Sequence, residues 1–233
     1  MSETHAKDSI RDVVGRILLN NKVAMGVALL LVASINTFDL VPREFGVPVT
    51  LLLIWILTWL MRGGWAGLGI RRPPHWGKAI AIGVGVAVVS QAFAGIVLLP
   101  LFQRLGLGSP DYSGFESVRG NVSAMLLWLT ISWTTAGFGE EIIYRGFFME
   151  QIAHLFGGKP KWMLSLVLVS AIFGLGHAYQ GAVGVYLTAY SALVYGVLYI
   201  VRDRTLWYSI FAHGTADTIA FLALYTGLMQ SLL

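Results

Sequence analysis

Residues 122–145 read VSAMLLWLTISWTTAGFGEEIIYR, an apolar run that closes on two adjacent carboxylates and an arginine, Glu140-Glu141-Ile142-Ile143-Tyr144-Arg145. About 20 mainly apolar residues in a helix cross the roughly 30 Å hydrocarbon layer of a bilayer, so this stretch reads as a membrane helix. An ionisable side chain at bilayer depth costs about 2.5–3.5 kcal/mol on insertion scales, and such groups are kept where they work. Two further apolar stretches carry His177 and the pair His213 and Asp217. Several such groups in one small chain point to a site.

Composition supports the same class. The chain has 233 residues, 56% hydrophobic and only 12% charged, with a mean hydropathy of +0.71, the profile of an all-α polytopic helix bundle whose solvent is lipid. The absence of cysteine excludes a disulfide framework, a cysteine metal site and a cysteine nucleophile. A net charge of +4 does not indicate nucleic-acid binding, because the basic residues fall in short loops, where they act as topology signals.

Seven apolar stretches are expected to cross the bilayer, at about 23–40, 46–62, 79–102, 122–145, 162–180, 182–201 and 206–229. Lys7, Arg11, Arg16, Lys22, Arg62, Arg71, Arg72, Lys78, Lys159, Lys161, Arg202 and Arg204 fall in alternate loops. Only Arg43, Arg104 and Arg119 fall in the others. By the positive-inside rule the N-terminus is cytoplasmic and the C-terminus outside. Residues 1–22 read as a cytoplasmic leader, in which Ile10, Val13, Val14, Ile17 and Leu18 recur at helical spacing beside basic residues, the pattern of a helix lying on the inner membrane surface. Residues 23–233 read as a single transmembrane domain, and no span reads as a cleaved signal peptide.

On an α-helix Glu140 and Glu141 point in different directions, whereas Glu141 and Arg145, four apart, share a face. That assigns Glu141 to an ion pair with Arg145 and leaves Glu140 for a cavity; the plainer alternative is that both acids only pair with neighbouring helices. His177 ends Phe173-Gly174-Leu175-Gly176-His177, whose glycines permit a close helix approach or a helix break. His213 and Asp217 share a face, and an acid one turn from an imidazole fixes its tautomer, in catalysis or in ordinary packing.

Together these motifs resemble the CPBP family of intramembrane glutamic endopeptidases, which includes the type II CAAX prenyl proteases and the bacterial abortive-infection proteins. The resemblance covers about residues 120–225 and rests on Glu140 to Arg145, Phe173 to His177 and His213 to Asp217. It implies that Glu140, assisted by His177, activates water for attack on a peptide bond without an acyl-enzyme, and that His213 and Asp217 serve the oxyanion. Glu141, Arg145 and Phe173 support the site. Burial favours the neutral form of any carboxylic acid, which suits a general base. An ionised Asp217 would repel developing negative charge, so its expected role is to orient His213. No cofactor is expected. Zinc is the alternative, since Glu140, His177 and His213 are competent ligands.

Other mechanisms lack their residues: there is no His-Glu-x-x-His and no Gly-x-Ser-x-Gly, and Gly137-Phe138-Gly139-Glu140 has no second intramembrane aspartate before it. The rival readings are a non-catalytic membrane scaffold or immunity-type protein and a proton-coupled transporter. The expected partners are the bilayer and a peptide or membrane-protein tail, with no nucleic acid, and the expected location is a prokaryotic inner membrane. Trp128, Trp133, Phe147 and Phe148 are candidates to grip an apolar group or, more commonly, to pack. Depth poses one problem: with the fourth span ending at 145, Glu140 lies near the inner face while His177 lies about 22 Å from it. The favoured answer is that the fourth helix continues past 145, because Phe147, Phe148, Ile152 and Leu155 extend its apolar pattern.

Overall fold

The computed structural model describes residues 9–37, 40–61 and 63–229, and among these every regular element is helical. Helix α1 (Ile10–Asn20) opens on a capping box in which the Ser9 side chain accepts from the Asp12 amide while the Asp12 carboxylate accepts from the Ser9 amide. It buries Gly15 and Leu18 and exposes Ile10, Val13 and Ile17. This is the helical part of the leader; residues 1–8, and with them Lys7, lie outside the described residues, as does Arg62. Arg11 donates from Nη2 to the Trp59 carbonyl at 2.7 Å and lies 4.3 Å over the Trp59 ring. That contact pins α1 to the end of α3 (Arg43–Leu60). Between them runs α2 (Lys22–Thr37), which meets α1 at a bend of 96°.

Helix α4 (Trp76–Arg104) widens into a π turn over Ala94–Leu98 immediately before Pro100, whose missing amide and bulky ring disrupt the ordinary i→i−4 pattern. Helix α5 (Val122–Phe156) begins at Asn121, whose side chain caps the Ala124 amide. Rather than stopping at 145, it runs to Phe156 and ends at Gly157, φ +61°. Its second half stays embedded because Phe147, Phe148 and Ile152 are buried. Glu140 is thus mid-helix, which removes the depth conflict. Helix α6 (Lys161–Gly176) stops earlier than the expected 180, and a 3₁₀ turn at Ala178–Gln180 leads into α7 (Gly181–Val201). The final helix, α8 (Trp207–Thr226), closes on Gly227 in the left-handed region.

The interior is organised around α5. Ile142, Ile143, Phe147, Phe148 and Met149 pack with Leu166 and Val169 of α6, Tyr199 of α7, and Leu206 and Ile210 beside or on α8. Without a hydrophobic drive between helices in lipid, small residues at crossings give the van der Waals contact that holds the bundle. Gly214 of α8 is one such crossing, where an added Cβ would lie 2.6 Å from the Trp133 ring of α5. Gly214→Ala is therefore expected to destabilise the protein by about 1–3 kcal/mol, read as a lowered unfolding midpoint in detergent micelles; an unchanged midpoint would show that the seam yields.

Among the described residues three helices, Trp76–Arg104, Val122–Phe156 and Ala178–Val201, are long and apolar enough to cross a membrane, and α1 with α2 makes a fourth if that bent pair is one broken span. The apolar stretches Phe45–Leu60 and Lys161–Gly176 are shorter.

Candidate active site

Glu140 and Glu141 sit at the junction of two wide π-helical stretches of α5, Ser132–Glu140 and Ile142–Met149. Hydroxyls compete for backbone carbonyls there: Thr134 donates to the Thr130 carbonyl at 2.7 Å and Thr135 to that of Ile131 at 2.7 Å. Side chains bonded to i−4 carbonyls loosen a helix, and π turns are frequent at functional sites.

Glu141 is fully buried and bound on two sides. Arg145 Nη1 donates to its Oε1 at 2.8 Å, and His213 Nδ1 lies 2.9 Å from the same oxygen. The Arg145 guanidinium donates onward from Nη2 to the Ala192 carbonyl of α7 at 3.1 Å and lies over the rings of Phe173 and Tyr195. The i, i+4 pair thus forms, and it reaches a histidine as well. An ionised Glu141 can only accept, so His213 must carry a proton on Nδ1. Tyr195 stacks on the His213 imidazole, centroids 5.2 Å apart. Asp217, which shares a face with His213, does not orient it: its Oδ2 is 3.8 Å from Nε2, beyond hydrogen-bond range. The orienting bond comes from Glu141, and Asp217 is itself held by Ser132, whose Oγ donates to Oδ2 at 2.5 Å.

His177 caps α6, and its Nδ1 is 2.9 Å from the Phe173 carbonyl. A carbonyl only accepts, so Nδ1 donates and Nε2 takes no part in that bond. Both readings of the flanking glycines hold: Gly174 meets the Val185 carbonyl and Ala189 of α7, where a Cβ would clash, and the helix ends beyond Gly176. Phe173, 2% exposed, is the hub, with its ring 4.7 Å from that of His177, 5.9 Å from that of His213 and 4.8 Å from that of Tyr144.

Glu140, half-buried, lies within electrostatic reach of His177, His213 and Asp217. No hydrogen bond ties it to any of them. The structure therefore brings Glu140, His177, His213 and Asp217 of three helices to one place, with Glu141, Arg145 and Phe173 beneath and beside them. Residues 122–219 match the family model of the Rce1-like type II CAAX prenyl endopeptidases. This Rce1-like segment contains all three motifs and lies within the 120–225 window read from the sequence. Over those residues the chain is similar to the CAAX prenyl endopeptidases, and its long apolar helices fit a membrane protein. No curated protein and no solved structure gives a significant match.

Sequence reasoning missed Ser132, Tyr195 and the Ala192 carbonyl. Ser132 carried a faint signal as a hydroxyl in an apolar helix two turns before Glu140, but Thr130, Thr134 and Thr135 of the same Rce1-like segment merely bond their own helix. The aromatic candidates pack: Phe147 and Phe148 lie in the core, Trp128 against Phe115 and Phe221, and Trp133 bonds Thr218 from Nε1 at 3.0 Å. Among the described residues, no three His, Cys, Asp or Glu side chains are placed to hold a metal ion. The α4–α5 connection is tied beside His177, since the Asp111 amide donates to the Gln180 carbonyl at 2.9 Å. Burial and then the neighbouring Tyr179 push the Tyr112 phenol in that connection up to about 12. It stays neutral over the physiological range.

Proposed function

We propose that this chain is an intramembrane endopeptidase that hydrolyses a peptide bond by a metal-independent glutamic mechanism. The observation that carries the reading is the meeting of His177 and His213 at Phe173, with Asp217 beside His213, Glu140 within electrostatic reach of all three, and Glu141 already paired with Arg145. Glu140 takes a proton from water as the water oxygen attacks the scissile carbonyl carbon, and His177, through Nε2, shares that proton. Negative charge collects on the former carbonyl oxygen. His213, protonated on both nitrogens between Glu141 and Asp217, offers Nε2–H to that oxygen. Collapse breaks the C–N bond, the proton passes to the departing amine, and a carboxylic acid and an amine leave.

In this reading the chain crosses an inner membrane seven times from a cytoplasmic N-terminus, with residues 1–22 as leader and 23–233 as one domain. Its substrate is a peptide or the tail of a membrane protein. The test is direct: purified wild type and Glu140→Ala are each incubated with a library of unstructured peptides, and products are identified by mass spectrometry. Cleavage present only in wild type, and indifferent to chelators, is the expected result. Activity lost on chelation and restored by zinc would overturn the metal-free mechanism. No cleavage, with Glu140→Ala matching wild type in cells, would leave a non-catalytic scaffold.

A further inference from the structure

We propose that Ser132 is a positioning residue whose hydroxyl holds the Asp217 carboxylate away from His213, so that the imidazole Nε2–H stays free for substrate. This rests on the peptidase reading above. Ser132 is 5% exposed and donates to Asp217 Oδ2 at 2.5 Å, while that same oxygen stands 3.8 Å from His213 Nε2. A carboxylate facing a protonated imidazole ordinarily closes to about 2.7–2.9 Å in a charge-assisted bond. Here it stops roughly an ångström short, bonded to a donor on the neighbouring helix.

The tether is rigid because the seam around it is. Trp133, the next residue, donates from Nε1 to Thr218, the residue after Asp217, at 3.0 Å. Its ring covers Gly214, and Gly137 meets Gly214 one turn further along α5. Ser132 and Asp217 therefore cannot drift apart without breaking a second bond between the same two helices. On its other side His213 is fixed by Glu141 at Nδ1 and by Tyr195 against its face. The one ring edge left without a close partner is Nε2, on the side of Asp217.

Without the Ser132 hydroxyl, Asp217 swings onto Nε2 and captures the donor that the oxyanion needs. An acid at position 217 is thereby made compatible with oxyanion stabilisation: it stays beside His213 yet too far from Nε2 to consume its proton. The loss falls on the transition state and spares substrate binding.

The experiment uses full-length protein in micelles and a reporter peptide taken from the wild-type products. Ser132→Ala is expected to lower kcat at least about tenfold with KM changed by less than about twofold, and Ser132→Thr, which keeps the hydroxyl, to restore it. In an Asp217→Ala background, Ser132→Ala should add nothing. Wild-type kcat in Ser132→Ala, or losses that multiply in the double variant, would overturn the proposal. A second readout needs no turnover: in ¹⁵N-labelled protein, the His213 Nε2–H proton should move downfield in Ser132→Ala as Asp217 bonds it. An unmoved resonance sinks the tether even if peptidase activity is real, whereas a wild type that cleaves nothing, with the resonance moving as expected, sinks the peptidase reading alone.

Discussion

Arg145→Met is expected to destabilise the protein by about 3–5 kcal/mol, the cost of leaving one member of a buried ion pair without its partner. Arg145 is 1% exposed and Glu141 0% exposed, so water cannot replace the lost charge. The substitution keeps much of the side-chain length but removes the 2.8 Å bond to Glu141, the 3.1 Å bond to the Ala192 carbonyl and the cation resting on Phe173 and Tyr195. A companion variant isolates the charge. Glu141→Gln with Arg145→Met removes both charges of the Glu141–Arg145 pair and leaves His213 with Asp217 as its neighbouring acid, and replacing both partners of a buried pair is often neutral. Most of the lost stability should return in the double variant, measured by denaturant titration in micelles. Activity should not return, because His213 has lost its anionic partner at Nδ1. A single Arg145→Met within about 0.5 kcal/mol of wild type, the range of an ordinary surface change, would mean that Glu141 is satisfied by other means.

Much of this arrangement was legible in the sequence, for reasons that can be traced to particular residues. The i, i+4 spacing of Glu141 and Arg145 needs only helical geometry, and their pairing survives although the surrounding turns are π-wide. The continuation of α5 to Phe156 could be inferred from Phe147, Phe148, Ile152 and Leu155. Less legible was anything that depends on contact between helices. Sequence spacing makes Asp217 the orienter of His213 because the two share a face of α8, whereas the bond comes from Glu141, 72 residues earlier. Sequence spacing informs on neighbours along one helix and is silent on which side chain of another helix arrives. The π turns were invisible for a related reason: an i→i+5 ladder adds a residue per turn, so faces drawn at 100° per residue drift across Ser132–Met149. Span counting had its own limit. Helices of marginal length, such as Phe45–Leu60 and Lys161–Gly176, are apolar enough to suggest crossings yet shorter than the length that marks Val122–Phe156.

Glu140→Gln should separate the two adjacent acids of the proposed site more sharply than any other single change. Glutamine has the shape of glutamate but cannot take a proton from water at neutral pH, so the contribution of general-base catalysis, about 10²–10⁴-fold, should be lost from kcat. His177→Ala should fall in the same range, because Nε2 of His177 shares the transferred proton in this mechanism. Stability should barely respond: Glu140 is half-buried and makes no hydrogen bond to His177, His213 or Asp217, so a neutral amide strands no partner there. Glu141→Gln is the contrasting case, since it unpairs Arg145 and His213 together and should lower both the unfolding midpoint and the rate. The pair of measurements decides between two physical pictures. If Glu140 is the base, its variant is a stable, inactive protein and the Glu141 variant an unstable one. If Glu140→Gln instead retains wild-type turnover while Glu141→Gln stays folded and inactive, the proton is being taken by the acid that Arg145 was supposed to neutralise, and the division of labour between the two carboxylates must be reversed.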